Sequence, residues 1–186
     1  MYYCTFTCFQ WLPLFEITNF YDFIYSWFDR LKKEGNTITG YVIMPNHIHF
    51  ILFVHENSSE INHILKEGKR FMAYEIIKRL KNLNRNDLLI QLQAGINTKE
   101  KREGKKHRVF EELSDIKHCS NDKFTEQKLT YMHNNPVKGK WRLAENNIDY
   151  LHSSAKYYLT GEHGIYNVIN YRELDKWVET VTGTVL

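Results

Sequence analysis

Cysteine is scarce in this chain: three residues in 186, at Cys4, Cys8 and Cys119. An odd count this small in a chain this long excludes a disulfide-stapled scaffold. Cys4 and Cys8 stand close enough to open a metal site, but no second cysteine pair follows, so they read as buried thiols in a strand. Long apolar runs are missing too. None reaches the roughly 18 residues that a membrane-spanning helix needs. The opening MYYCTFTCFQ shows no basic leader followed by a small-residue cleavage site. A cytoplasmic protein with no membrane partner is expected. Internal repeats and low-complexity stretches are also lacking.

What is present suits one compact domain. Hydrophobic residues make up 42% of the chain, enough for a core, and charged residues 25%, an ordinary exposed surface. The core is expected over about 1–137, with a tail over 138–186. Net charge is only +3, but its distribution is uneven. Between Lys66 and Arg108, thirteen Lys or Arg stand against five Asp or Glu. A local excess of this kind is what a protein offers to a polyanion such as DNA, and it is equally what a solvated helix and loop carry.

The local patterns give an order of elements. Tyr2 to Phe9, aromatic and β-branched, predicts a strand. Phe20, Phe23, Ile24, Trp27, Phe28 and Leu31 recur at helical spacing, with Thr18 or Asn19 to cap the helix and Gly35 to stop it. Ile38 to Met44 and His47 to Val54 predict two strands joined at Pro45-Asn46, an antiparallel hairpin. Ser58 or Ser59 can open a long helix to about Leu83, with Ile61, Ile64, Leu65, Met72, Ile76 and Leu80 on its buried side. Asn84 to Lys106 is polar and charged and predicts a flexible excursion. His107 to Leu113 is the expected fourth strand. Ser120 can cap a helix over about Asn121 to Asn134, which Pro136 brings to an end. This order predicts an α+β fold: a ferredoxin-like or RRM-like sandwich, with helices on one face of a four-stranded antiparallel sheet.

Two constellations carry chemistry. His47 and His49 are alternate residues of a strand, so both project to one face, and paired neutral imidazoles hold divalent metals. Two ligands are too few, so a third must come from elsewhere. Tyr131 and Asn135, four apart, share a helix face, which sets a phenol beside a carboxamide oxygen. Taken singly, each pattern is compatible with an ordinary structural role.

Together they resemble a known family. Gly40 to Leu52, GYVIMPNHIHFIL, resembles the signature of the single-tyrosine HUH transposases. Leu129 to Trp141, LTYMHNNPVKGKW, resembles the catalytic helix of the REP-associated tyrosine transposases within that group. Lys69-Arg70-Phe71 stands on the intervening helix, where that family is also basic. The resemblance implies Tyr131 as the nucleophile and His47, His49 and Asn135 as ligands of Mg or Mn. One departure stands out: many relatives carry Trp-Gln before the last strand, where this chain has Phe110-Glu111.

The resemblance thus implies an HUH endonuclease that cleaves and rejoins single-stranded DNA through a covalent 5′-phosphotyrosine, near a DNA hairpin. Lys69, Arg70, Lys78 and Arg79 are the expected DNA-binding residues. His133, close in sequence, is expected to point away from Tyr131. The assembly is expected to be a monomer or a homodimer. Two alternatives stay open: an HUH replication-type nickase, and a catalytically silent or domesticated single-stranded nucleic-acid-binding protein.

Overall fold

Period-two alternation builds the sheet. In the first strand, Tyr2–Thr7 (β1), Cys4 and Phe6 join one apolar cluster and Tyr3 joins another on the opposite face. The structure, a computed structural model, describes residues 1–112, 114–139 and 141–174. After β1 come a 3-10 turn at Phe9–Trp11, a short helix Leu14–Ile17 (α1) and a longer one, Tyr21–Lys33 (α2). Strands Thr37–Met44 (β2) and His47–Phe53 (β3) follow, then helices Ile61–Asn82 (α3), Asn86–Ala94 (α4) and Thr98–Arg102 (α5). Strand Asp115–His118 (β4), helix Asp122–His133 (α6), a 3-10 turn at Asn135–Val137 and helix Ala155–Thr160 (α7) complete the main elements.

The sheet runs β2-β3-β1-β4 with every neighbouring pair antiparallel. This is the ferredoxin-like α+β arrangement that the element order predicts, but helices cover both faces of the sheet rather than one, because α6 carries an apolar side of its own at Leu129 and Met132. On one face, Ile24, Trp27, Phe28 and Leu31 of α2 and Ile64, Leu65, Met72, Ile76 and Leu80 of α3 bury against the strands. Phe50 of β3 sits among them, 5.4 Å from the ring centres of both Phe6 and Trp27. Each such side chain contributes about 1.5–3 kcal/mol by leaving water.

The opposite face receives α6. Leu129 and Met132 pack in a second cluster with Tyr3, Val42, Met44 and Ile51. Gly40 lets the helix come this near. A Cβ at position 40 would lie 2.5 Å from Leu129 Cδ2 and 2.7 Å from Met132 Cε.

The tail closes the outer edge of β2. Ile43 N donates to His152 O at 2.8 Å, Ser154 N to Tyr41 O at 3.0 Å, and Tyr41 N to Ser154 Oγ at 2.9 Å. The Tyr150 and Tyr158 hydroxyls each donate at 2.7 Å, to Ile43 O and Thr39 O.

Several expectations are corrected. Asn84 to Lys106 is not one flexible excursion, for α4 and α5 lie within it. Leu88 and Leu92, four apart, anchor α4 in the core, and an Asn97–Glu100 capping box starts α5. The fourth strand is Asp115–His118 rather than His107 to Leu113, of which Leu113 lies outside the described residues. Over the earlier stretch, Phe110 makes only an isolated bridge to Cys8. Helix starts also move. Thr18 donates its hydroxyl to Leu14 O and so serves the end of α1, while Asn19 turns through φ +46° before α2. Glu60 stands at the cap position of α3 instead of Ser58 or Ser59, and Asn121 caps α6 instead of Ser120.

Candidate active site

The β1–β3 register sets the floor of the site. Thr5 pairs with His49 and Thr7 with His47, so the two imidazoles share the α6 face of the sheet. Their ring centres are 4.8 Å apart, at 81° to each other, and each residue is only 6% exposed.

Hydrogen bonds orient both rings. Asn46 donates its amide nitrogen to Trp11 O at 3.0 Å, which turns its Oδ1 to His47 Nδ1 at 2.7 Å. His47 Nδ1 therefore carries the proton, and Nε2 keeps the lone pair. His49 Nδ1 meets the Tyr3 hydroxyl at 2.8 Å and Thr5 Oγ1 at 2.7 Å, which again leaves Nε2 as the free atom. The Asn46 oxygen can only accept and so sets the tautomer of His47, whereas the two hydroxyls at His49 Nδ1 can donate or accept and set only its orientation. Burial pushes His47 down to about 4. Burial, with His47 and Lys128 adding to it, pushes His49 down to about 3. Both rings are thus neutral near pH 7, the state a cation requires.

Tyr131 stands over this floor. Its ring is edge-on to His49 at 5.6 Å, and 56% of the residue is exposed. Asn135 follows in the 3-10 turn after α6. Its amide nitrogen donates to Tyr131 O at 3.2 Å and Met132 O at 3.3 Å. With the nitrogen so engaged, the carboxamide oxygen is the atom left to offer a cation. Among the described residues no group of three or more His, Cys, Asp or Glu is placed to hold a metal. Two imidazoles and one carboxamide oxygen would make an open, mixed nitrogen and oxygen site, unlike the closed four-ligand set of a structural zinc.

Two further residues border the site. Lys128, three before Tyr131 on α6, places Nζ 4.8 Å from the Tyr3 ring centre and 5.8 Å from that of Tyr131. Trp11 is edge-on to His47 at 5.5 Å. The Lys-x-x-Tyr spacing on a helix was the available signal for Lys128. Nothing in the sequence marks Trp11, because a loop and the hairpin register bring it to His47. His133 faces elsewhere: its Nε2 is 2.8 Å from Ser154 Oγ and its ring lies against Tyr158.

The four basic residues on α3 divide into two kinds. Lys69 Nζ donates to Glu111 O at 2.7 Å and Ser114 Oγ at 3.2 Å, and burial, with Lys105 and Arg108 nearby, lowers it to about 8. Arg79 forks onto Asp22 at 2.8 and 2.9 Å and also binds Glu75 and Asn19 O. Arg70 and Lys78 are more open: among the described residues their ion pairs run only along the helix, to Glu67 and Glu75, and their side chains are 52% and 69% exposed. Phe110 is buried against Phe6 and Phe15, and Glu111 Oε1 accepts from Gln10 N at 2.8 Å.

No protein-family model matches the sequence, and no curated protein matches it either. Solved structures do. A REP-associated tyrosine transposase bound to a REP hairpin superposes with a TM-score of 0.55 at 15% identity, over 91% of this chain and 86% of that one. A chain from Deinococcus radiodurans R1, provisionally described as a transposase, gives 0.43 at 12% identity, over 72% of this chain and 88% of that one. The first of these places the chain, over nearly its whole length, in the fold of a REP-associated tyrosine transposase.

Proposed function

We propose that this chain is a metal-dependent transposase of the single-tyrosine HUH kind, which nicks and rejoins single-stranded DNA. One observation carries the reading: Tyr131, exposed to incoming DNA, is edge-on at 5.6 Å to the second of two oriented, neutral histidines. In the step envisaged, Tyr131 Oη attacks the scissile phosphorus and a bond forms between them. The P–O3′ bond breaks, its electron pair leaves with the 3′ oxygen, and that oxygen takes up a proton. The phenol proton passes to water, which reaches the exposed ring. The product is a 5′-phosphotyrosine and a free 3′-hydroxyl. Because the diester keeps the energy of the broken bond, the 3′-hydroxyl of a second strand reverses the step without a nucleotide cofactor.

A divalent cation held by His47, His49 and Asn135 would supply Lewis-acid polarisation of the phosphate. The Lys128 ammonium adds a fixed positive charge beside Tyr131. The likeness to a hairpin-bound transposase supports a DNA hairpin as the structured part of the substrate.

The test is a covalent adduct. The protein is incubated with Mg or Mn and a 3′-labelled single-stranded oligonucleotide carrying a hairpin, then denatured. A labelled protein band is expected, lost with EDTA and lost in Tyr131→Phe, whose DNA binding stays near that of the parent. An adduct that persists in Tyr131→Phe overturns the assignment of the nucleophile. Binding with no adduct under any metal leaves the chain a binding module.

A further inference from the structure

A single exposed aromatic residue is ordinary on a protein surface, but three features set Trp11 apart. The first is backbone conformation. Gln10 and Trp11 both adopt left-handed geometry, with φ of +52° and +57°. Neither is glycine, and strain of this kind persists only where the surroundings impose it. The second is bracing. Trp11 N donates to Cys8 O at 3.0 Å, Gln10 N donates to Glu111 Oε1 at 2.8 Å, and Gln91 Nε2 donates to Gln10 Oε1 at 2.7 Å. The third is position. Asn46 joins Trp11 to the site directly, giving its amide nitrogen to Trp11 O and its oxygen to His47.

The outcome is an indole held out on a stiff loop, 56% exposed, with its edge contact on His47. Trp11 borders one histidine as Tyr131 borders the other, and the two rim residues are equally exposed while the histidine floor is buried. A strand with its phosphate over that floor, within reach of Tyr131, would bring a neighbouring base to Trp11. A rigid aromatic face beside a phosphate site suits an unpaired nucleobase, since every base offers a π-face and a preordered ring loses little freedom on stacking.

We propose that Trp11 is a stacking platform for one unpaired base beside the scissile phosphate. The proposal rests on the strand-cleavage reading above, and its test is separable from it because it needs neither metal nor cleavage. Dissociation constants are measured for a labelled twelve-nucleotide oligothymidylate and for an abasic strand of the same length. The protein carries Tyr131→Phe, the buffer contains EDTA, and salt is varied. Two variants are compared on that background. Trp11→Asn removes the ring while supplying a residue at ease in left-handed backbone, and Trp11→Phe keeps an aromatic face. Trp11→Asn is expected to weaken oligothymidylate binding by roughly 5- to 150-fold, the factor for one base–aromatic stack. The dependence on salt should not change, and the deficit should vanish on the abasic strand. Trp11→Phe should retain most of the affinity. Equal affinity of Trp11→Asn and its parent for oligothymidylate overturns the proposal. So does a deficit that persists on the abasic strand, or a Trp11→Phe variant as weak as Trp11→Asn. A protein that stacks a base here but never forms an adduct would sink the cleavage reading alone.

Discussion

Lys128 lies one turn before Tyr131 on α6, with its ammonium 5.8 Å from the Tyr131 ring centre and 4.8 Å from that of Tyr3. It is half-buried, and burial, with Lys117 adding to it, lowers its affinity for a proton. A charge kept there is poised to offset the negative charge that gathers on phosphate oxygens during attack. Lys128→Gln is expected to slow adduct formation by roughly a hundredfold, the loss typical of one preorganised donor. Binding of the hairpin oligonucleotide should weaken far less. Single-turnover rates beside equilibrium binding decide it: a drop in affinity with an unchanged rate would make Lys128 an ordinary phosphate contact.

Among the four α3 cations, salt-sensitive contact with DNA is expected from Arg70 and Lys78. Replacing both by Ala should flatten the plot of log K against log salt by about 0.7 per lost contact on single strands. Lys69→Met and Arg79→Met should act on the fold instead. Lys69 holds the chain around Glu111 and Ser114, and Arg79 ties α3 to Asp22 and Asn19. About 1–2 kcal/mol of stability is at stake in each, discounted for the exposure of Asp22. Denaturant midpoints and salt titrations on all four variants check the division. Unchanged midpoints for Lys69→Met and Arg79→Met would reject it.

Gly40→Ala tests how closely Tyr131, the proposed nucleophile, is placed. The new methyl meets the ends of Leu129 and Met132, which can yield in part by changing rotamer, with the remainder lifting α6 from β2. A displacement near 1 Å at reacting atoms costs about a hundredfold in rate. The expected result is slower adduct formation with a stability loss of about 1–3 kcal/mol. Normal kinetics in a folded Gly40→Ala protein would show that α6 tolerates displacement.

Alkaline pH should loosen the fold through Cys8. Burial pushes this thiol well above the usual range, despite hydrogen bonds from the Leu14 and Phe15 backbone that act the other way. The folded state therefore keeps its proton after the unfolded state has begun to lose one, near pH 8.5. Stability from this group is fully present below that pH and is lost above it, at about 1.4 kcal/mol per pH unit. Denaturant unfolding at pH 8, 9 and 10 should show the decline, and Cys8→Ala should make it shallower by about one group's share. Parallel declines in the two proteins would remove Cys8 from the account.

The histidine floor was legible in the sequence because strand alternation is strict: once His47 to Phe53 is a strand, His47 and His49 must share a face. The shared helix face expected for Tyr131 and Asn135 rests on a helix that stops at His133; Asn135 lies in the following 3-10 turn and meets Tyr131 through its amide on Tyr131 O. The fourth strand was misplaced because Val109 and Phe110 carry the apolar signal there, whereas the true β4, Asp-Ile-Lys-His, is mostly exposed and polar. Helix α4 was missed because two buried leucines make a thin stripe in a charged stretch. Trp11 depended on a strained turn and a cross-strand register, and Lys69 and Arg79 on partners 45 and 57 residues away. No window of local sequence carries such information.

The tail laid along β2 bears on how two copies of this chain can meet. Its backbone hydrogen bonds occupy the outer side of that strand, so another molecule cannot extend the sheet there without first displacing residues 150–158. The far edge, β4, is four residues long and carries the Asp115–Lys117 ion pair at 3.2 Å, a short and charged rim that discourages strand addition. Edge-to-edge growth, the usual hazard of an open sheet, is therefore opposed at both ends. Among the described residues, helices and loops rather than sheet edges are the surfaces better suited to pairing two copies.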